Sequence, residues 1–153
     1  MKIRLAKDKD CAAIARLHRQ TIRNVNSKDY TKEQIRAWSA RTNANRFRNS
    51  ADKCKMWVAI EDDKVAGFCN HGLDGEFWGL YVHKDYIGKG IGSRLMQTAE
   101  DSLKKLGFKK VSLKASITAK EFYKKQGYKV IKKDLHLVND NELEIFVMTK
   151  IFS

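Results

Sequence analysis

The sequence predicts an α/β (α+β) fold in which a mixed, mostly antiparallel central sheet of about seven strands carries helices on both faces. The apolar patterns run in the order strand, two helices, three strands, helix, strand, helix and two strands. The three central strand-like runs are joined by short turns, which is typical of antiparallel pairing. The strands before and after the long helix are expected to be parallel neighbours joined by a right-handed crossover.

Chain length and composition indicate a single domain over residues 1–153. A chain of this size can bury enough apolar surface to fold without disulfides. The three cysteines (Cys11, Cys54 and Cys69) form no CxxC pair, which favours reduced thiols over a disulfide framework or a metal site. No secretion signal and no apolar run of roughly 20 residues is found, so we expect a cytoplasmic protein without membrane contact.

The formal net charge of +13 is high for this length. Such a charge attracts polyanions, either nucleic acids or phosphorylated small molecules. Lysines and arginines are spread over most segments, whereas a nucleic-acid surface more often concentrates them among aromatic residues. A basic solvated surface is therefore the favoured interpretation, and a nucleic-acid partner is not expected.

A strand and two helices are predicted for the first third of the chain. Ile14, Leu17 and Ile22 recur at helical spacing after an acidic residue suited to capping. Thr31 and Gln34 form the capping-box pattern that starts a second helix. The predicted segments are a strand over 2–6, a helix over 8–22, a helix over 29–40, and a loop with a helical turn over 41–54.

Three strand-like runs and a long helix fill the middle of the chain. The runs "MWVAI" and "VAGFCNH" flank the acidic turn "EDDK", which is a hairpin pattern, and "GEFWGLYV" forms a third run. The helix that follows has one apolar stripe and is closed by Gly107. The stripe consists of Ile91, Leu95, Ala99, Leu103 and Leu106.

The last third predicts a strand, a short helix and two more strands. A strand over 108–115 precedes a helix over 118–128 that Gly127 closes. Strands over 128–133 and 142–150 complete the sheet. The final strand contains the apolar run "IFVM", which could form a dimer edge, so a monomer or a homodimer is expected.

A glycine turn lies between the third central strand and the long helix. Gly88, Gly90 and Gly92 alternate in "YIGKGIGSRLM". The first turn of a helix leaves N–H groups unpaired beside partial positive charge, and glycines let an anion approach the main chain. Lys89 and Arg94 add formal positive charge. The pattern predicts a phosphate site, with a tight turn that needed glycine as the alternative.

The spacing of the glycines narrows the choice of phosphate ligand. The pattern G-x-G-x-G differs from the G-x-x-x-x-G-K-S/T of nucleoside-triphosphate loops. This difference excludes a nucleoside-triphosphate loop. It also differs from the G-x-G-x-x-G of dinucleotide-binding folds, and it follows antiparallel strands instead of the first strand of a βαβ unit. A dinucleotide is therefore a weak interpretation.

The segment "LYVHKDYIGKGIGSRLM" resembles the acyl-CoA-binding signature of the GNAT superfamily of N-acetyltransferases, Arg/Gln-x-x-Gly-x-Gly/Ala after an apolar strand. Further along the chain, "SITAKEFYKKQGY" resembles the family segment Asn-x-x-Ala-x-x-Phe-Tyr-x-x-x-Gly-Phe. With "DYTKEQIRAW", it is similar to the YafP-like bacterial branch. The chain departs from the two motifs where Ile87 replaces Arg or Gln and Ser116 replaces Asn.

The resemblance implies an N-acetyltransferase that uses acetyl-CoA as acyl donor and needs no metal. The amides of the glycine turn would hold the CoA pyrophosphate, and pantetheine would pair with Leu80 and Val82 as an added strand. Gly79 inside that strand indicates a bulge or a close backbone approach. The implied cofactor-binding residues are Leu80, Tyr81, Val82, Ile87, Gly88, Lys89, Gly90, Ile91, Gly92, Ser93 and Ser116.

Tyr123 and Glu76 are the candidate catalytic residues. Tyr123 stands where the family's general acid lies and could protonate the departing thiolate, with packing beside Phe122 as the alternative. Glu76 matches the glutamate of histone-type members and is the candidate base, with a solvated carboxylate at a strand end as the alternative. Alternation places Glu76 on the side of Leu80 unless a bulge intervenes. The N–H of Leu80 or Tyr81 would meet the oxyanion.

An acceptor pocket is predicted around Tyr30, Trp38 and Trp78, whose aromatic faces suit an amine, with core packing of the two tryptophans as the alternative. A small-molecule amine is favoured over a protein, because a basic surface is a poor docking site for lysine-rich tails. The alternative function is a non-catalytic CoA-binding or nucleic-acid-binding module on the same fold. Three histidines lack metal-ligand spacing and are expected at the surface or in loops: His71, His83 and His136.

Overall fold

A computed structural model describes residues 1–152 of the chain. Its strands are β1 (Lys2–Leu5), β2 (Cys54–Glu61), β3 (Lys64–Gly72), β4 (Glu76–Val82), β5 (Lys110–Ser116), β6 (Lys129–Val138) and β7 (Asn141–Ile151). Its α-helices are α1 (Cys11–Asn24), α2 (Lys32–Ala40), α3 (Ala44–Asn49), α4 (Ile91–Lys105) and α5 (Lys120–Lys125). None of the helices in this range has both the length and the apolar character needed to cross a bilayer.

The seven strands form one sheet in the order β1-β2-β3-β4-β5-β7-β6. Every neighbouring pair is antiparallel except β4–β5, which is parallel and is connected through α4. The predicted mixed, mostly antiparallel sheet and its parallel pair are therefore confirmed. The predicted dimer edge at the last strand is wrong, because β7 lies between β5 and β6, and β6 forms the border of the sheet.

Helices cover both faces of the sheet. Because successive residues of a strand point to opposite sides, neighbouring side chains contact different helices. In β3, Phe68 packs in a buried cluster with side chains of α1 and α3, whereas the next residue, Cys69, packs with side chains of α4 and α5. The Cys69 thiol also donates to the main-chain oxygen of Leu95 in α4 at 3.4 Å. The prediction of helices on both faces is confirmed.

Local sequence signals start several elements as predicted. In the capping box of α2, the Gln34 N–H donates to Thr31 Oγ1 at 3.1 Å, and the Thr31 N–H donates to Gln34 Oε1 at 2.8 Å. Asp62 and Asp63 adopt positive φ between β2 and β3, which two-residue hairpin turns require. The predicted hairpin is therefore present.

β6 is longer than the sequence analysis predicted. The strand continues from the expected end near residue 133 to Val138. Asn139 and Asp140 then adopt positive φ and close a second hairpin with β7. The added part of β6 matters for function, because it brings His136 to the wall of the pocket described below.

The end of α4 differs from the prediction by one residue of its apolar stripe. The helix ends at Lys105, and Leu106 is 45% exposed instead of packed inward. Gly107 ends the helix as predicted, with a φ of 94°. The N–H of Phe108 donates to the main-chain oxygen of Leu103 at 3.1 Å, which satisfies one of the carbonyl groups left over at the helix end.

The expectation of a surface or loop position is wrong for His71, which is fully buried in β3. Its Nδ1 lies 2.8 Å from the Gly72 carbonyl oxygen, and its Nε2 lies 2.9 Å from Ser102 Oγ on α4. Burial lowers the pKa of this imidazole, so the ring is neutral and fastens β3 to α4. His136 is exposed, and His83 is half-buried.

An ion pair fixes the start of α1 against β1. Arg4 donates to both carboxylate oxygens of Asp10, at 2.7 and 3.0 Å, and the Lys7 N–H donates to the same group at 2.7 Å. The Arg4 hydrogen bonds lower the pKa of Asp10. The stability that this carboxylate contributes is therefore present above its unfolded-state pKa of about 3.9 and is lost as pH falls through the folded-state pKa.

We expect Asp10→Asn to lower the free energy of unfolding by about 1–3 kcal/mol at pH 7, because charge-assisted hydrogen bonds to a nearly buried group are lost. The difference from wild type should begin to shrink below about pH 4, where Asp10 of the unfolded chain takes up a proton, and should be lost once pH falls through the lowered folded-state pKa. Urea denaturation at a series of pH values measures both effects. Asp8→Asn is the control, because Asp8 is 80% exposed in its ion pair with Arg48; equal losses in the two variants would contradict the prediction.

Candidate active site

The parallel strands β4 and β5 separate after two residue pairs. Glu76 pairs with Ser112 and Phe77 with Leu113, and no further pairing joins these strands within residues 1–152. β4 continues beside β3 as far as Val82, while β5 continues beside β7. A gap therefore opens in the sheet, and one edge of β4 borders it.

The main chain of β4 offers free hydrogen-bonding groups to this gap. The His83 N–H donates to the Ala66 carbonyl oxygen of the β3 side at 2.8 Å. Because the N–H groups along a strand alternate in direction, that of Tyr81 also faces β3, whereas those of Leu80 and Val82 face the gap. An extended chain with amide groups can pair with these two residues as an added strand. The geometry favours Leu80 over Tyr81 as the predicted oxyanion donor.

A β-bulge in β4 changes which side chains share a face. The register skips Trp78, directly before Gly79, where the sequence indicated a bulge or close approach. Phe77 and Leu80 pack in the same cluster with α4, although unbroken alternation would place them on opposite faces. Glu76 and Leu80 therefore lie on opposite faces, and the expectation that they share one is wrong.

The glycine turn leaves a group of N–H donors without partners at the start of α4. Gly88 and Gly90 have φ of 86° and 80°, and a Cβ on either would have no neighbour within 4 Å. None of the N–H groups of residues 88–93 donates a hydrogen bond to another described residue. Open space beside these donors fits an anion. Gly92 has another role, because a Cβ there would lie 3.1 Å from the Phe122 ring.

One pocket of about 760 Å³ joins the gap, the glycine turn and the side of the sheet covered by α1 and α3. Its volume is in the range of small-molecule sites. Among the predicted site residues Lys89 does not line it, and its ammonium lies 5.3 Å from the centre of the Tyr86 ring. The predicted residues that line the pocket are Tyr30, Trp38, Glu76, Trp78, Leu80, Tyr81, Val82, Ile87, Gly88, Gly90, Ile91, Gly92, Ser93, Ser116 and Tyr123.

Tyr123 on α5 is nearly buried at the wall of the pocket. Its ring meets those of Phe77 and Phe122 edge-on, with centroids 6.1 and 5.4 Å apart. No enclosed polar side-chain atom in the described range lacks a partner, and the Tyr123 hydroxyl has none there, so its oxygen faces the pocket. Burial raises the pKa of this phenol, and Tyr81 and Cys69 add to the rise. The hydroxyl therefore stays protonated at neutral pH.

Glu76 is half-buried at the start of β4 and lines the pocket. Its main-chain N–H donates to Asp74 Oδ1 at 3.1 Å. Within the described part of the chain its carboxylate has neither a hydrogen bond nor an ion pair. A free carboxylate in a pocket can accept a proton directly or through a water molecule. Its role as a base stays a prediction.

Aromatic side chains line another part of the pocket. The Tyr30 hydroxyl donates to the Glu144 carbonyl oxygen at 2.7 Å and accepts from the Ile117 N–H at 2.9 Å. The Tyr30 ring meets Trp38 edge-on at 5.6 Å. Trp38 is half-buried and Trp78 is 41% exposed. Neither indole belongs to the core, so the alternative of core packing is wrong, and both rings are accessible to a ligand.

The gap, the glycine turn and Tyr123 all lie in the part of the chain that matches one known protein family. The profile of the family described as the acetyltransferase (GNAT) domain matches residues 26–152. The chain belongs to the GNAT family of acetyltransferases. The predicted GNAT resemblance and the prediction of an N-acetyltransferase are confirmed.

A GNAT relative from Escherichia coli (strain K12) supports the predicted branch. The chain is 31% identical over 109 residues to YafP, which is named as an uncharacterized N-acetyltransferase. The match covers 69% of this chain and 66% of YafP, which is just under two thirds of that protein's length. The similarity to the YafP-like branch is thus confirmed.

Solved GNAT structures share the fold over nearly the whole chain. A GCN5-related N-acetyltransferase from Rhodopseudomonas palustris superimposes with a TM-score of 0.93 at 26% identity, over 99% of this chain and 95% of that one. The PaiA N-acetyltransferase from Thermoplasma acidophilum, in complex with coenzyme A, gives a TM-score of 0.82 at 23% identity, over 99% and 100%. These similarities confirm the predicted fold class.

The two departures from the GNAT motifs have different consequences. Ile87 is 56% exposed at the pocket wall and has no polar side-chain atom, whereas the N–H groups of the turn remain available. Ser116 Oγ accepts from the Ala119 N–H at 3.1 Å and from Asn26 Nδ2 at 3.3 Å. Both of its lone pairs are occupied, so Ser116 can meet a ligand as a donor.

On α1, α3, β5 and β6, sequence reasoning missed four charged or titratable residues of the GNAT pocket: His18, Arg46, Lys114 and His136. Asn43 gave a signal for one of them, because its Oδ1 accepts from the Arg46 N–H at 3.0 Å and starts α3 as an N-cap. The hairpin turn after β6 similarly marks the part of the strand that contains His136. The other two have no local signal, because only the tertiary fold brings α1 and β5 to this pocket.

Proposed function

We propose that this protein transfers the acetyl group of acetyl-CoA to the primary amine of a small molecule, by direct attack of the amine on the thioester. The observation that carries the proposal is the gap between β4 and β5, which is bordered by the free main-chain groups of Leu80 and Val82. The glycine turn begins a few residues beyond Val82. A linear molecule with amides at one end and a pyrophosphate at the other fits this arrangement.

Main-chain groups would hold the donor. The N–H groups of residues 88–93 would receive the pyrophosphate, and the partial positive charge at the start of α4 favours that ligand. Leu80 and Val82 would pair with the pantetheine amides, and the Ser116 hydroxyl can donate to one of them. Because Ile87 offers no polar side chain, this mode of binding would rest on the main-chain donors of the turn.

Leu80 and Tyr123 would stabilise the carbonyl oxygen and the departing sulfur of the thioester, respectively. The neutral amine nitrogen forms a bond to the thioester carbon, and the Leu80 N–H stabilises the negative charge that develops on the carbonyl oxygen. As the C–S bond breaks, its electron pair goes to sulfur, and Tyr123 donates its hydroxyl proton there. The tyrosinate then recovers a proton from solvent.

Glu76 would take the proton that the amine nitrogen loses, directly or through one water molecule. Its free carboxylate lines the pocket. The bulge at Trp78 turns Glu76 away from the face of Leu80 and toward the side covered by α1 and α3. This placement supports a base on the acceptor side of the thioester.

The form of the pocket supports a small molecule as acceptor. Tyr30, Trp38 and Trp78 offer aromatic faces to an amine, and the basic surface disfavours lysine-rich protein tails. A single acetyltransferase domain over 1–153, acting as a monomer or a homodimer, is part of this proposal. Three buried, unpaired cysteines are consistent with a reducing cytoplasmic compartment.

A thermal melt with and without acetyl-CoA is the first test. At about 100 times its dissociation constant a ligand adds roughly 2.7 kcal/mol to the stability of the folded state. For a chain of this length, each kcal/mol raises the Tm by about 2–4 °C. We therefore expect a rise of roughly 5–10 °C with saturating acetyl-CoA, followed by amine-dependent release of free CoA thiol.

Two other outcomes would overturn the proposal. If acetyl-CoA raises the Tm but no amine releases thiol, the protein binds CoA without catalysis. If acetyl-CoA leaves the Tm unchanged while duplex DNA or RNA raises it in a strongly salt-dependent manner, the nucleic-acid alternative holds.

A further inference from the structure

The side of the pocket opposite the glycine turn carries unpaired positive charge. Lys28, Arg46 and Lys114 line the pocket, and among the described residues Glu76 is the one acidic side chain on its wall. None of the three cations takes part in an ion pair with another residue of the described range. A cation that lines a concave site without a protein partner is free to bind a ligand.

Arg46 lies beside the strand that would hold the thioester. Burial raises the pKa of Tyr81 on β4 to about 12, and the charge of Arg46 opposes that rise. The same charge adds to the burial that lowers the pKa of His18 to about 3. The His18 and Tyr81 rings are 4.4 Å apart between centroids. Arg46, His18 and Tyr81 line the same pocket, so Arg46 belongs to the part of it where β4 faces α1.

A second source of positive charge comes from the opposite wall, across the gap. Partial removal from water lowers the pKa of the largely exposed His136 on β6, and the charges of Arg41, Lys114 and Arg46 lower it further. Lys114 belongs to β5, whereas Arg46 belongs to α3. Arg46 and Lys114 line one pocket from two separate elements of the fold, and His136, whose pKa is lowered, adds no charge there at neutral pH.

Acidic residues around this part of the pocket are engaged elsewhere. Asp29 accepts a hydrogen bond from Thr118 Oγ1 at 2.7 Å. Glu144 pairs with Lys133 at 3.1 Å. Neither carboxylate lines the pocket or forms an ion pair with Arg46, so the unpaired cations on the pocket wall favour an anion and disfavour a second positive charge.

We infer that the amine substrate carries an anionic group, a carboxylate or a phosphate, which Arg46 binds with the support of Lys114 while the amine faces Glu76. This inference rests on the proposed acetyltransferase function and specifies its acceptor. A guanidinium presents paired N–H donors that match both anions, and such charge-assisted pairs are stronger than neutral hydrogen bonds. Polycationic amines such as spermidine are poor substrates on this basis.

The test compares four amines, three of similar length and one longer polycation, with the purified full chain and acetyl-CoA. The probes are propylamine, β-alanine, O-phosphoethanolamine and spermidine, and the readout is kcat/KM from thiol release. The carboxylate or the phosphate probe exceeds propylamine by at least about tenfold, and spermidine ranks below both. The ratio of β-alanine to O-phosphoethanolamine tells which anion is preferred.

Arg46→Gln and Arg48→Gln form a matched pair on α3. Arg48 pairs with the exposed Asp8 at 3.2 Å and does not line the pocket. Arg46→Gln raises KM for the anionic probe at least about tenfold with little change in kcat or in KM for propylamine, whereas Arg48→Gln changes none of these. An equal loss for all amines in Arg46→Gln, or a preference for propylamine or spermidine in wild type, overturns the inference while the proposed function stands.

Calorimetric binding of the anionic probes to the CoA-loaded protein separates the two proposals. Arg46-dependent binding of β-alanine or O-phosphoethanolamine without turnover of any amine supports the anion site and rejects the transferase function. Turnover of propylamine without binding of either anionic probe supports the transferase function and rejects the anion site. If the protein shows neither binding of the anionic probes nor turnover of any amine, both proposals are rejected.

Discussion

Tyr123→Phe is expected to lower kcat by roughly 10²–10⁴-fold, the usual contribution of a positioned general acid, while acetyl-CoA affinity stays nearly unchanged. The substitution removes one hydroxyl and keeps the ring, which packs against Phe77 and Phe122. The hydroxyl faces the pocket and has no hydrogen-bond partner among residues 1–152, so its removal leaves no polar group of the protein unsatisfied. Steady-state kinetics and a binding titration with acetyl-CoA measure the two quantities separately.

Tyr128→Phe is the matched control for this experiment. Tyr128 is also buried, and its hydroxyl donates to Glu100 Oε2 at 2.8 Å, away from the pocket. The control should lose stability, because Glu100 loses a partner, and should keep its kcat per folded molecule. Equal turnover in wild type and Tyr123→Phe would remove Tyr123 from the mechanism and leave packing as its role.

The pH dependence of kcat gives a second reading of the same residue. Burial raises the pKa of Tyr123 above its usual value near 10, so the acid form persists through the alkaline range in which enzymes are assayed. A decline of wild-type kcat that sets in below about pH 9 must therefore belong to another group. The amine substrate has the opposite effect on the rate, which rises with pH because the amine must lose its proton before it attacks.

The order of the sheet strands follows from patterns that are local in the sequence. Apolar periodicity and turn residues predicted each central strand, the long helix and the parallel pair, and the structure has all of them. Glycines at the ends of α4 and acidic residues in the first hairpin require left-handed φ, and such positions can be recognised without a tertiary structure. The fold class was therefore accessible from the sequence.

The missed features depend on how elements pair. The bulge at Trp78 reverses the parity of β4 and separates Glu76 from Leu80; Gly79 indicated a bulge or a close backbone approach, but the residue types in "GEFWGLYV" do not fix the register against β3 that decides between them. Leu106 follows the helical spacing of the stripe but falls at the cap, where the chain leaves the sheet. Periodicity describes an ideal element, whereas the register and the end of the element are set by its neighbours.

The two sides of the candidate site also differ in how far the sequence predicts them. The side that faces the glycine turn is built from one continuous stretch of chain, so its residues could be named from the motif. The acceptor side draws on α1, α3, β5 and β6 together. Arg46, Lys114 and His136 are far apart in the sequence, and they line one pocket only because the fold brings three elements together. Acceptor specificity is therefore the property least accessible from the sequence.

Gly90→Ala is expected to weaken acetyl-CoA binding by roughly tenfold or more. Gly90 is the N-cap of α4 with a φ of 80°, and apart from its own chain neighbours no protein atom lies within 4 Å of the position that its Cβ would take. The new methyl group therefore meets no side chain of the protein and occupies the space through which an anion would approach the turn. Loss of a charge-assisted hydrogen bond of about 1.5–3 kcal/mol corresponds to about tenfold or more in affinity.

Gly107→Ala separates this effect from backbone strain. Gly107 stands at the other end of α4 with a φ of 94°, and its Cβ position is equally open. Both variants force alanine into the left-handed region at a cost of about 1–2 kcal/mol, so both should lower the Tm by a similar amount. Only Gly90→Ala should lose acetyl-CoA affinity in a direct titration. If both variants bind acetyl-CoA as wild type does, the glycines of this turn serve the path of the chain and not a pyrophosphate, and the proposed donor site is wrong.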